Sequence, residues 1–204
     1  VYFSDVLKIQ SCAMTNDFLS SAIKQFEYYK MLGEKAMRQT SGAGLFASPN
    51  AESNSIAVIV KHLWGNMLSR WTDFLNSDGE KEWRKREAEF ENDFESEDVL
   101  WQCWEQGWQV LFDALRPLTE ADLERIVYIR NQGHTVVEAV NRQLAHYAYH
   151  VGQIVYVAKM QVDQNWQSLS IPRGGSSQFN AAKFSQPKAK GHFTDEFLAN
   201  PELE

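Results

Sequence analysis

The sequence predicts an all-α protein built as a four-helix bundle with long connections, a short extended segment or hairpin before the last helix, and an extended C-terminal tail. Apolar residues recur at three- and four-residue spacing over four separate stretches, the pattern of helices that each bury one face. Strand-like alternation is confined to one short run, and beyond Trp166 the periodicity gives way to Ser, Gly, Pro and Lys. With 204 residues the chain is long enough for one well-buried domain. We place that domain at residues 1–166 and a tail, packed on it and partly mobile after about Ser185, at 167–204.

The first helix is read from about Thr15 to Gln39, where Leu19, Ala22, Ile23, Phe26 and Tyr29 share a face before the break Ser41-Gly42-Ala43-Gly44. A second opens after Ser53-Asn54-Ser55, carries Ile56, Val60, Leu63, Met67, Trp71 and Phe74, and stops at Asn76-Ser77-Asp78-Gly79. Glu80 to Asp98 is rich in acids and reads as a connector that docks by Trp83, Phe90 and Phe94, its Arg84-Lys85-Arg86 run forming a solvated face. Fully extended, it reaches roughly 65 Å, about twice the length of a twenty-residue helix, so the helices on either side can run parallel. The third helix, from about Ser96 to Arg116, bears Trp101, Trp104, Trp108, Leu111 and Leu115, a stripe we assign to the core, and ends at Pro117. Ile126 to Arg130 alternates and meets Asn131-Gln132-Gly133, as a short hairpin would. The last long helix spans roughly Thr135 to Val162 along Val137, Val140, Leu144, Tyr147, Val151, Ile154 and Ala158. Pro172, Pro187 and Gly174-Gly175 forbid a long helix in the tail.

Composition narrows the function. Apolar residues at 44% and charged residues at 23% are near the globular average and exclude a wholly disordered chain. The formal charge of −7 repels phosphate backbones and anionic lipid, so neither nucleic acid nor a membrane is an expected partner. Cys12 and Cys103 form neither a disulfide framework nor a Cys-x-x-Cys motif, and the opening VYFSDVLKIQSCAM lacks the marks of a secretory signal. A reducing cytoplasm is the expected compartment. Aromatic residues at helix edges suggest a homodimer.

Of five histidines, three stand out. His146 and His150 lie one turn apart on one helix face, where both imidazoles can reach a single ion. They flank Tyr147 and Val151 beside Gln143 and Gln153, while His62 flanks Leu63 on a strip with Ile59, Asn66 and Ser69. Packing the two helices together would gather three imidazoles at the edge of the apolar core, and a metal would satisfy them. The alternative is that His62 is a core histidine bonded to a carbonyl. His146-Tyr147-Ala148-Tyr149-His150 lacks the Glu of a zincin, no Glu stands three residues before any His as in di-iron bundles, and no Cys-x-x-Cys-His haem site occurs. His134 and His192 read as surface residues, and Gly174-Gly175 carries no phosphate-loop pattern.

Several segments resemble a known group. The stretch from Asn54 through His62-Leu63 and Gly65-Asn66 to Trp71 and Asp78-Gly79-Glu80-Lys81 is similar to the DinB-like (damage-inducible), or YfiT-like, superfamily, in a bacterial branch of uncharacterised proteins. So are Tyr128-Ile129-Arg130, His134-Thr135-Val136, Asn141 to Tyr147, His150 to Ile154, and Ser168 to Gly174 with Phe179-Asn180. The likeness spans roughly Ala22 to Asn180. It implies a four-helix bundle in which His62, His146 and His150 match a three-histidine divalent-metal site, with zinc or nickel typical. Better-studied relatives of that superfamily look like metal-dependent transferases or isomerases that use low-molecular-weight thiols such as bacillithiol or mycothiol.

Two functions follow as expectations. The first is a metal-dependent thiol transferase or hydrolase acting on an electrophilic small molecule, with Asn66, Tyr147 and Gln153 supporting the ligands. The second is a non-catalytic metal-binding or interaction protein in which the ion is a structural staple. They differ in whether the fourth coordination position faces a pocket.

Overall fold

Ser55, Ser96 and Thr135 each precede an apolar-periodic run, and each side chain accepts a hydrogen bond from the backbone N–H three residues on, at 3.2, 3.3 and 3.1 Å. Glu138 reciprocates by accepting from the Thr135 backbone N–H at 2.8 Å, completing a capping box. These caps fix where three of the four long helices begin. The computed structural model describes residues 2–40 and 42–199, with side chains described from Phe18 onward. The helices are α1 (Tyr2–Arg38), α2 (Gly42–Phe46), α3 (Ile56–Trp71), α4 (Glu97–Leu115), α5 (Val136–Val162), α6 (Ser176–Phe184) and α7 (Asp195–Ala199). One antiparallel hairpin, β1 (Ile126–Ile129) and β2 (Gln132–Thr135), precedes α5. The first helix thus starts well before Thr15, and the Cys12 side chain lies outside the described residues.

The long helices α1, α3, α4 and α5 share one core. Phe26 of α1 is fully buried and meets Trp71 of α3, Trp108 of α4 and Tyr147 of α5 at ring-centroid distances of 6.3, 6.5 and 5.8 Å. Trp104, Trp108, Leu111 and Leu115 of the tryptophan stripe are buried, while Trp101 sits at the edge with the Arg38 guanidinium 4.8 Å over its ring. Antiparallel packing of α3 on α5 sets His62 beside His146 and His150, and Asn66 beside Tyr147.

The connector runs back along α3 from its C-terminus to its N-terminus. Glu80 pairs with Arg70, Glu89 reaches His62, Lys61 pairs with Asp93, and Asn92 reaches the cap Ser55 at 3.3 Å. The chain therefore enters α4 beside the start of α3, and the two helices run parallel, with Gly107 against Trp64 and Met67. Of the three aromatics expected to dock, Phe94 packs against the core and Phe90 stacks on His62, while Trp83 does not dock. Trp83 is 55% exposed, whereas Glu89 and the Arg84 side chain are buried. Arg84 is thus no part of a solvated face, because its guanidinium is consumed by Glu80 and Glu89. A carboxylate and a guanidinium that satisfy each other's hydrogen-bonding groups can be buried together.

Two further expectations are corrected. The hairpin turn is Arg130-Asn131, one residue earlier than the Asn131-Gln132-Gly133 cluster, and both turn residues have positive φ, 55° and 60°. Asp78 makes this turn possible by accepting hydrogen bonds from both of their backbone N–H groups at 2.8 Å. The tail is not simply extended. Its prolines and glycines only punctuate it, leaving room for α6 and α7, and its end is clamped to α1. Tyr28 packs on Phe193 and Phe197, Lys24 pairs with Asp195 at 2.6 Å, and Ser21 Oγ bonds His192 Nε2 at 2.9 Å. His192, expected at the surface, is half-buried and anchors the tail.

The approach of α1 to α4 leaves no room for a side chain at Gly33, where an added Cβ would lie 2.6 Å from Trp104 Cη2. Trp104 is 2% exposed and cannot swing away. Gly33→Val is expected to lower stability by about 2 kcal/mol in urea denaturation. An unchanged midpoint would overturn this packing of α1 on α4.

Candidate metal centre

Helix α3 carries a polar strip, His62, Asn66, Ser69 and Arg70, along the flank that meets α5, and all four are buried. Burial on this scale is tolerated only if each group is bonded. Ser69 Oγ donates to the Gly79 carbonyl at 2.7 Å, Asn66 Oδ1 accepts from Tyr147 at 3.0 Å, and Arg70 Nη1 reaches Gly79 O and Glu80. His62 turns towards His146 and His150. Their ligand atoms all lie within 4.8 Å of one another, and the two Nε2 atoms of His62 and His146 are 3.4 Å apart.

The opposite ring nitrogens decide what these Nε2 atoms can do. His62 Nδ1 lies 2.9 Å from Glu89 Oε2, and His150 Nδ1 lies 2.9 Å from Gln153 Oε1. Both oxygens accept, so each neutral ring carries its proton on Nδ1 and presents a lone pair at Nε2. Glu89 is itself gripped by the Arg84 fork, Nε to Oε1 at 2.7 Å and Nη2 to Oε2 at 2.8 Å. Burial alone would raise the Glu89 pKa, but the hydrogen bonds from Arg84 and His62 outweigh it and hold the carboxyl below its ordinary value. The carboxylate lies across α3 at Gly65, where a Cβ would come within 2.5 Å of Glu89 Oε1.

Burial, then repulsion from neighbouring imidazoles, pushes His146 down to about 3 and His150 down to about 4. Both are therefore neutral at pH 7, the form that binds metal. Two nitrogens on a tetrahedral ion at ~2.05 Å stand roughly 3.3 Å apart, close to the His62–His146 separation. His146 Nδ1 is buried without a hydrogen-bond partner among the described residues. The donor set fits a divalent transition ion with three imidazole ligands. The three histidines line a cavity of about 320 Å³ together with Asn66, Phe90 and Gln143. Phe90 stacks on the His62 ring at 5.1 Å and forms part of its roof.

Of the supporting residues expected from sequence, Gln153 bonds a histidine directly and Asn66 reaches the cavity wall. Tyr147 does not face the cavity. It is fully buried, its hydroxyl accepts from Trp71 Nε1 at 2.9 Å and donates to Asn66, and burial raises its pKa so that it stays a phenol. His134 lies on β2 near Arg142 at 3.4 Å, away from the cluster. Glu89, Arg84 and the stacking role of Phe90 were missed. Their only sequence signal is that a connector running back along α3 must cross the His62 flank, and there Arg84 and Glu89 are a complementary pair.

A family model described as "Protein of unknown function (DUF1572)" matches residues 13–175. The comparison with curated proteins found no match, and the comparison with solved structures found none.

Purified protein should bind about one divalent ion per chain, and His62→Ala, His146→Ala and His150→Ala should each remove most of it in elemental analysis. Unchanged metal content in all three would sink the site. Gly65→Ala should cost roughly 10- to 100-fold in metal affinity by chelator competition, because it displaces the carboxylate that orients His62. Ala is a better helix former than Gly, so α3 itself is not weakened.

Proposed function

We propose that this chain, which belongs to the DUF1572 family, is a metal-dependent enzyme of the DinB-like kind whose four long helices form that superfamily's bundle. In this reading His62, His146 and His150 hold zinc or nickel, and the reaction is transfer of a small thiol, or hydrolysis, at an electrophilic small molecule. The observation that carries it is that the histidines line an accessible cavity instead of closing on one another inside the core. Three protein ligands with an accessible side are the pattern of catalytic sites, whereas structural sites are closed by a fourth.

When bound, such an ion acts as a Lewis acid that lets an incoming thiol or water lose its proton near neutral pH. The protein's own groups prepare the site. Glu89 holds the proton on His62 Nδ1 and Gln153 accepts the one on His150 Nδ1, so both rings keep one orientation. Arg84 fixes Glu89, and Phe90 shields one face of His62 from water. The staple reading has less to explain, since Glu89, held by Arg84, already ties the connector to α3 through its buried bond to His62.

The test is direct. Cobalt-substituted protein titrated with 2-mercaptoethanol at pH 7 should develop a thiolate-to-metal charge-transfer band and release about one proton per site, although the free thiol ionises only near pH 8.5 or above. Absence of both signals in fully cobalt-loaded protein would leave the ion a structural role.

A further inference from the structure

We propose that the cavity over the three histidines selects small molecules bearing an anionic group, a carboxylate or a phosphate, which the guanidinium groups of Arg86, Arg130 and Arg142 receive. This rests on the reading that the cavity is the working side of the metal site. The chain as a whole is acidic, at −7, yet five arginines line this cavity and no Asp or Glu does. A field of that sign within a net negative protein is local, so it has to be accounted for by what stands there.

The five arginines divide by what holds them. Arg70 and Arg84 are buried and committed, to Gly79 O, Glu80 and Glu89. The other three stand at the mouth. Arg86 is 47% exposed and its only carboxylate ion pair among the described residues is with the solvated Glu87 at 3.4 Å. Arg130 is 59% exposed and shares Glu80 with both inner arginines. Exposed Arg142 contacts the ring of His134 and makes no carboxylate ion pair among the described residues, with Glu138 one helical turn before it. Through ion pairs Glu80 and Glu89 serve Arg70, Arg84 and Arg130, and Asp78 stands beside Arg70 and the Arg130 backbone, but it is the guanidinium groups and none of these carboxylates that line the cavity. Planar guanidinium forks suit carboxylate and phosphate oxygens alike.

Two placements show the rim to be built. Arg130 occupies a positive-φ turn position where Asn or Gly is the usual choice, and Asp78 must bond both turn N–H groups to hold it there. Arg86 lies 5.4 Å from the centroid of Phe90, and Phe90 lies 5.1 Å from His62, so one aromatic ring links a rim cation to a metal-ligating imidazole. An anionic group bound at this rim would bring the rest of its molecule to the histidines. A volume of about 320 Å³ is at the small end for ligand sites, which favours a small molecule over a polymer.

The experiment uses calorimetry on metal-loaded protein with three probes: succinate, inorganic phosphate and the neutral succinamide. Wild type should bind succinate or phosphate at least roughly tenfold more tightly than succinamide at low salt, and the stronger of the two names the preferred group. The variant R86Q/R142Q touches only exposed side chains and should keep its metal by elemental analysis while losing about tenfold in anion affinity. Equal binding of succinate and succinamide, or anion affinity unchanged in R86Q/R142Q, overturns the proposal. The same titration on metal-free protein separates the two readings. Arginine-dependent anion binding that persists there upholds the rim even if the thiol test fails. A positive thiol test with no preference for anions upholds the metal chemistry and rejects the rim.

Discussion

The carboxylate of Glu89 is 5% exposed and bonded on one side to the fork of Arg84 and on the other to His62 Nδ1, and much of the structure is arranged around that contact. Removing one member of the Arg84–Glu89 pair would leave the other charge buried without its partner at a cost of several kcal/mol, and Glu89 is the member that holds this stretch of the connector to His62 of α3. Keeping it there has consequences in sequence order. Residues 80–93 are drawn back along the helix, α4 begins where α3 begins, and Phe90, next to Glu89, is set down on the His62 ring. The same contact fixes the His62 proton on Nδ1 and frees Nε2. Gly65 is the helix position that makes room for it.

The boundary between core and site is drawn by one hydrogen-bonded chain. Trp71 donates to Tyr147 and Tyr147 donates to Asn66, each bond about 3 Å long, so a tryptophan and a tyrosine of the aromatic core end in an amide on the cavity wall. Phe26 packs behind them against the same two rings. Each member of the strip His62, Asn66, Ser69 and Arg70 meets a partner from the connector, the turn after α3 or α5, which offsets much of the cost of burying it. Rigid packing behind a polar strip is what keeps three imidazoles in register.

Net charge conceals a local inversion. A chain of −7 concentrates arginine at the cavity that holds the histidine cluster, with Glu80 shared by Arg70, Arg84 and Arg130. Composition sets the sign of the long-range field, whereas the charged side chains that line the cavity are arginines.

The four long helices, the cap region at Ser55, the helix starts near Ser96 and Thr135, and the core role of Trp104 and Trp108 were legible in the sequence, because periodicity and turn signals act over four residues and need no knowledge of distant chain. The pairing of His146 with His150 was legible for the same reason, being one helical turn. The connector's path was not, since nothing local marks Arg84 and Glu89 as buried within an acidic, polar run. Nor was the turn at Arg130-Asn131, whose positive φ values depend on a carboxylate fifty residues earlier, or the clamp of His192 on Ser21. The sequence by itself determined which elements exist and which side chains can ligate. Tertiary structure decided which buried charges meet, which ring nitrogen carries its proton, and that the histidines border a cavity, because each of these depends on contacts between residues far apart in the chain.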